Sequence, residues 1–112
     1  ERKREEAKRL VNMCRYIVNC VRSAIHTKYW HINKQYLSSE NVEERKKAAT
    51  EMQRVALAEI ENARNTIPMV EFDSRLGYEP SMEYMGDREH IEWKIELTEQ
   101  VLREELAEYI TE

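Results

Sequence analysis

The sequence predicts an all-α fold, an antiparallel three-helix bundle with a long irregular connector between helices two and three. Apolar residues recur every three or four positions along most of the chain, which is the period of a helix with one buried face. Only two glycines and two prolines occur among the 112 residues, and all four lie in the segment 67–87. These residues punctuate many-stranded folds, so their scarcity elsewhere argues against a β-rich structure. The length fits a single domain, residues 1–112.

The first helix is predicted from about Glu5 to Leu37. Two adjacent rows of apolar residues run along it, and together they form a wide apolar stripe. We therefore expect this helix to pack against more than one neighbour and to form the spine of the domain. The rows are Ala7, Val11, Cys14, Val18, Val21, Ile25, Ile32 and Tyr36, and beside them Leu10, Met13, Ile17, Cys20 and Ala24.

The second helix is predicted to begin near Val42, because Asn41 followed by Glu44 has the form of an N-cap with a capping-box partner. Its apolar residues keep the helical period as far as Ile67, and Pro68 is expected to stop it. A third helix is predicted after Asp87, which suits the N-cap position. The short connection after the first helix and the long one after the second favour an antiparallel bundle.

The composition excludes several classes of partner. Charged residues make up 36% of the chain and the net charge is −4, whereas broad binding to nucleic acid or anionic membrane favours a basic surface. The sequence has no apolar run of membrane-spanning length. We expect neither nucleic acid nor membrane as a partner.

The two cysteines, Cys14 and Cys20, are six positions apart on one predicted helix, about 9 Å along its axis. That separation is too long for a disulfide between them. We expect two free, buried thiols, which act as small core residues and also fit a reducing, cytoplasmic location.

No motif of an autonomous enzyme is recognisable, and we expect no cofactor, no metal and no catalytic residue. His26 and His31 diverge by roughly 140° around a helix, so they do not readily share a metal ion. A di-iron bundle needs Glu-x-x-His pairs, and the chain has only Asp87-x-x-His90 at a predicted cap. Neither a nucleophile elbow nor a glycine-rich phosphate loop occurs.

The 67–87 connector is the predicted functional segment, because compact domains rarely carry so long a loop without a role. Its carboxylates suit an acid and base pair, although solvation or a salt bridge to Arg75 is the favoured interpretation. Its aromatic and methionine side chains suit either a cap over the bundle or a partner contact. The candidate interface or substrate-proximal residues are Asp73, Arg75, Tyr78, Glu79, Glu83 and Tyr84.

A second candidate surface lies near the end of the first helix. Aromatic and apolar residues gather there around His26, Lys28 and His31, and they form either the far end of the core or an exposed patch against another domain. These residues are Tyr29, Trp30, Ile32, Tyr36 and Leu37.

Two stretches, NCVRSAIHTKYWHINKQ and NTIPMVEFDSRLGYEPSMEYMGDREHIEWKI, carry a resemblance to a known family. They resemble the helical C-terminal region of large bacterial carbohydrate-active proteins related to glycoside hydrolases with a hexosaminidase-like barrel. The motif DSRLGYEPSMEYMGD is the more specific part. The resemblance spans about residues 10 to 97.

The resemblance implies that catalysis belongs to an upstream domain of the same polypeptide, which recognises a glycan. This chain would then be a non-catalytic accessory domain, whose connector forms a domain interface or a wall near the substrate. The sequence opens on Glu1 and not on methionine, so we expect the chain to be processed or cut from a larger protein. The alternative is a self-standing helical module that pairs through the apolar stripe of its first helix.

Overall fold

Three long helical segments run antiparallel in the computed structural model, which describes residues 1–79 and 84–111 and measures 61 × 25 × 21 Å. The predicted all-α three-helix bundle is confirmed. The elements in order are α1 (Arg2–Lys34), a 3₁₀ turn (Gln35–Ser38), α2 (Val42–Phe72), a 3₁₀ turn (Ser74–Gly77), β1 (Tyr78–Glu79), β2 (Tyr84–Met85), α3 (Arg88–Val101), a π-helical turn (Leu102–Leu106) and α4 (Ala107–Thr111).

The start of α2 is fixed by a polar cap. The Asn41 side chain accepts hydrogen bonds from the main-chain N–H groups of Glu43 and Glu44, at 2.9 and 3.4 Å. The predicted return bond from Glu44 goes elsewhere, because its carboxylate accepts from the Ser39 hydroxyl at 2.7 Å. Ser39 Oγ in turn accepts from the Asn41 N–H at 3.2 Å. The Asn41 cap was correctly predicted. The expected direct bond between Glu44 and Asn41 is replaced by the Ser39 side chain, which bridges the two residues.

The predicted end of the second helix is wrong, because α2 passes through Pro68 and ends at Phe72. A proline inside a helix removes one hydrogen bond and costs about 3 kcal/mol. Tertiary contacts beyond it favour the continued helix: Val70 is buried, and the Asn12 side chain donates to the Met69 carbonyl at 3.0 Å. The connector therefore begins at Asp73, and residues 67–72 of the predicted segment are helical.

The described part of the connector contains a two-residue antiparallel ladder, in which Tyr78 pairs with Met85 and Glu79 with Tyr84. Both glycines of the chain meet at its base, where the Gly86 N–H donates to the Gly77 carbonyl. A Cβ atom on Gly77 would lie 2.5 Å from the Gly86 oxygen, so this position has no room for a side chain.

The last helical segment begins at the predicted cap, since Asp87 accepts a hydrogen bond from the His90 N–H at 3.0 Å. It continues from α3 through the π-helical turn into α4. The π-helical turn was not predicted, because one extra residue in a turn leaves little trace in a pattern with a period of three or four.

The apolar core lies between α2 and the last helical segment, and it has two clusters. One is centred on Ala49, Met52 and Leu106, and the other on Ile60, Ala63 and Ile95. The first cluster is also contacted by Trp30 of α1 and Leu37 of the 3₁₀ turn. The one buried residue of α1 is Asn19, which is polar.

Candidate functional site

The connector residues predicted as a site include one close ion pair. Arg75 donates to both carboxylate oxygens of Asp73, from Nε at 2.9 Å and from Nη2 at 2.8 Å. The hydrogen bond from Arg75 lowers the pKa of Asp73 to about 2. A carboxylate with so low a pKa stays ionised and paired at neutral pH, so it is unsuited to act as a general acid.

The other predicted connector residues are placed only in part. Tyr78, Glu79 and Tyr84 belong to the short ladder, which sets Glu79 opposite Tyr84. Glu83 lies outside the described residues. Phe72, at the end of α2, is 49% exposed, and it lines a shallow groove with Val11 and Arg15 of α1. The base of the connector therefore adjoins the surface of α1.

A partly buried carboxylate that the sequence pattern did not predict lies between the three helices. Glu59 of α2 has a side chain only 13% exposed, and it is contacted from both neighbouring helices. From α1, Ser23 Oγ donates to Glu59 Oε1 at 2.7 Å and His26 Nδ1 donates to Oε2 at 2.6 Å. From α3, Lys94 Nζ donates to Oε1 at 2.7 Å and lies 3.2 Å from Ser23 Oγ.

Burial raises the pKa of Glu59, but the hydrogen bonds from Lys94, Ser23 and His26 outweigh burial and hold that pKa below its ordinary value. The Ser23 hydroxyl donates to this carboxylate, which is a weak base because its pKa is lowered, so the hydrogen bond does little to activate the hydroxyl as a nucleophile. Glu59 is thus a charge-compensated junction that ties three helices together.

Polar contacts continue along the interface between α1 and α2, which we call the polar seam. It consists of Asn12, Asn19, Ser23 and His26 on α1 and Glu59, Asn62 and Thr66 on α2. Asn19 Nδ2 donates to Thr66 Oγ1 at 3.0 Å, and Asn62 Nδ2 donates to the main-chain oxygen of Asn19 at 2.9 Å. Polar residues at 12, 19, 23 and 26 fall on one helix face, so their spacing is the sequence signal that could have located the seam.

The apolar face of α1 points away from α2, contrary to the predicted packing. At 100° per residue the seam residues of α1 and its apolar stripe lie on roughly opposite sides of the helix. Ten large apolar residues on this face and in the 3₁₀ turn that follows it are 40% to 58% exposed. We call them the α1 stripe: Leu10, Val11, Met13, Ile17, Val18, Val21, Ile25, Tyr29, Ile32 and Tyr36.

The expected burial of the two thiols is also wrong, because Cys14 and Cys20 are both exposed.

The α1 stripe has a basic edge. Beyond Glu6 the helix carries no acidic residue, and basic residues follow the side of the stripe nearest the seam. These are Arg4, Lys8, Arg15 and Arg22.

The aromatic and apolar residues near the end of α1 were predicted to form either the far end of the core or an exposed patch, and the structure shows some of them in each place. Trp30 and Leu37 pack against the core cluster of Ala49, Met52 and Leu106. Tyr29, Ile32 and Tyr36 belong to the exposed stripe. One set of residues thus closes the end of the core, while its neighbours extend an exposed patch.

Within residues 1–79 and 84–111, no group of three or more histidines, cysteines, aspartates or glutamates is placed to hold a metal ion. None of the helices in the described part of the chain is both long and apolar enough to span a membrane.

Comparison of the chain with family models, with curated proteins and with solved structures gave no match.

Proposed function

We propose that this chain is a non-catalytic helical docking domain of a glycan-processing enzyme, and that the α1 stripe is its contact with the catalytic domain of the same polypeptide. The observation that carries the proposal is the reversed packing of α1, whose polar face meets α2 while its apolar face stays exposed. Contiguous apolar surface of this kind marks a protein interaction site.

The size of the stripe fits a specific interface. Ten side chains exposed to about half of their surface present roughly 800 Å², which is what one partner contributes to a standard interface. Phe72 extends this surface to the base of the connector. The connector can then form part of the same domain interface, as the resemblance in sequence implies.

The basic edge favours a partner other than a second copy. In a two-fold antiparallel pairing centred near Val18, Arg15 of each helix would face Arg22 of the other, and like charges repel. A partner whose apolar surface is bordered by carboxylates would complement Arg15 and Arg22. The catalytic domain is the partner that the resemblance implies.

The proposal that the parent enzyme acts on a glycan is supported only by the resemblance of the connector motif to carbohydrate-active proteins. Two of the carboxylates considered above are bound by basic side chains, Asp73 by Arg75 and Glu59 by Lys94. Catalysis is accordingly assigned to the partner domain.

The size of the native polypeptide tests this proposal. An antibody raised against the chain is used on a denaturing gel of the source cells. A band far above 13.5 kDa is expected, and the purified parent should then turn over a glycan substrate. A band at 13.5 kDa, or a parent inert on a broad glycan panel, would contradict the proposal.

The second candidate is a self-standing dimerisation module, and one observation favours it. Val11, Val18, Ile25 and Ile32 recur every seven residues, and β-branched residues in this position favour helix pairing. Light scattering of the purified chain separates the candidates. A dimer that Val18→Asp dissociates, while the control Leu57→Asp on α2 does not, would support the second candidate. A monomer would exclude it.

A further inference from the structure

A pocket of about 280 Å³ lies between α1, α2 and α3, beside the Glu59 junction, and it is open to solvent. Its base is formed by α2, where Val55 is 2% exposed and Ala56 is 3% exposed. The apolar residues that line it come from all three helices. They are Trp30, Val55, Ala56, Leu97 and Val101.

The size of the pocket limits the size of its ligand. Small-molecule sites in proteins commonly measure about 300–1,000 Å³ and combine an apolar lining with a few convergent polar groups. This pocket lies just below that range and has the same kind of lining. Because a cavity of about 150 Å³ holds benzene, the pocket has room for one substituted ring.

His26 supplies the polar group of the pocket that is free to bind a ligand. Its Nδ1 lies 2.6 Å from Glu59 Oε2, and an ionised carboxylate can only accept, so Nδ1 carries the hydrogen. Nε2 of the neutral ring is therefore an acceptor. Among residues 1–79 and 84–111, this Nε2 atom has no hydrogen-bond partner.

Two threonines also line the pocket, but their hydroxyl groups already donate. Thr27 Oγ1 donates to the main-chain oxygen of Ser23 at 2.9 Å, and Thr98 Oγ1 donates to that of Lys94 at 2.8 Å. Both bonds stay within the threonine's own helix.

The charges beside the pocket favour a neutral ligand. Glu59 is compensated by Lys94, whose Nζ donates to Oε1 at 2.7 Å. A carboxylate on the ligand would be repelled by Glu59, and an ammonium group would find Glu59 already paired. A hydroxyl group carries no charge and can donate to Nε2 of His26.

We propose that this pocket binds a small neutral molecule with one aromatic ring and one hydroxyl group, and that the hydroxyl donates to His26 Nε2. The ring then packs against the apolar lining, with Val55 and Ala56 beneath it. The described lining includes no residue of the α1 stripe, so the inference is independent of the proposed function.

Three ligands of similar size test the site by NMR titration of the isotope-labelled chain. We expect p-cresol to bind, and toluene, which lacks the hydroxyl group, to bind about three- to tenfold more weakly. The charged p-toluate should also bind more weakly than p-cresol. Failure of p-cresol to bind, or equal binding of either of the other two, would overturn the inference.

The His26 ring reports the hydrogen bond directly. Its Nε2 chemical shift should move on saturation with p-cresol. The corresponding signal of His31, an exposed histidine of the same helix, should stay in place and is the matched control. An unchanged His26 signal at saturation would show that the hydroxyl group binds elsewhere, which contradicts the proposal.

Two leucine variants test the position of the ring. Leu97→Ala shortens a lining residue that is 41% exposed, whereas Leu57→Ala alters a leucine of α2 that is 54% exposed and outside the described lining. Both variants should fold, because neither position is in the core. We expect weaker binding of p-cresol to Leu97→Ala and unchanged binding to Leu57→Ala. Equal binding to the two variants would contradict the inference.

Discussion

His26 Nδ1 and Glu59 Oε2 lie 2.6 Å apart, although 33 positions separate the two residues in the sequence. Glu59 also accepts from Lys94 of α3, so a single carboxylate sets the position of all three helices. A shift of α1 by one helical turn would disrupt the pair of contacts that Ser23 and His26 make with that carboxylate, so the junction favours one register.

We expect Glu59→Gln to lower the free energy of unfolding by about 2–3 kcal/mol, because it weakens hydrogen bonds to a charged group and leaves Lys94 without its counter-charge. Urea denaturation measures the change. Glu61→Gln, at an exposed position of the same helix, is the matched control and should change stability by less than about 0.5 kcal/mol. Equal effects of the two substitutions would show that Glu59 is not a junction.

The stability contributed by Glu59 should depend on pH with a definite sign. Its pKa is lower in the folded chain than its ordinary value of 4.5. The contribution is therefore complete above about pH 5 and is lost as the pH falls through the lowered pKa. The difference in unfolding free energy between wild type and Glu59→Gln should shrink from pH 7 to pH 3. A difference that grew on acidification would contradict the direction of the shift.

Gly77→Ala should disrupt the base of the connector, because the new Cβ would lie 2.5 Å from the Gly86 oxygen. We expect a loss of about 1–3 kcal/mol, as for other overpacked positions, and faster proteolysis within residues 73–87. Ser74→Ala, at an exposed neighbouring position, serves as the control. Unchanged proteolysis of Gly77→Ala would show that the two glycines need not lie so close.

Substitution in the α1 stripe should have little effect on the isolated chain. We expect Val21→Ser to change the unfolding free energy by less than about 0.5 kcal/mol. Met52→Ala, at a core position that is 2% exposed, should cost about 2–5 kcal/mol. Thermal denaturation compares the two. A large loss in Val21→Ser would mean that the stripe is part of the core.

Both thiols should be reactive in the folded chain, since Cys14 and Cys20 are exposed. We expect a disulfide reagent to modify two thiols per chain without denaturant. Slow modification of Cys14 that depends on protein concentration would instead indicate that copies of the chain cover the stripe.

The sequence was sufficient for the helices and for the caps Asn41 and Asp87, because these depend on local patterns. It was insufficient at Pro68, where contacts from Asn12 to the next turn outweigh the local cost of a proline. The larger error concerned α1. Apolar periodicity predicted that the stripe of this helix is buried, whereas in the structure the opposite, polar face of α1 contacts α2. The Glu59 junction was missed for a related reason, since its members are brought together only by tertiary packing.

The reversed packing of α1 would link the folding of the chain thermodynamically to the contact proposed for the α1 stripe. The helix is held to α2 mainly by hydrogen bonds, which replace hydrogen bonds to water with little net gain in free energy. Its large apolar side chains, whose burial would stabilise it most, are in contact with solvent. If the catalytic domain of the same polypeptide covers the α1 stripe, as proposed, that contact forms with the folded chain and not with the unfolded one, so it would raise the melting temperature of this domain. On that proposal, the stability of the domain would depend on the polypeptide that carries it.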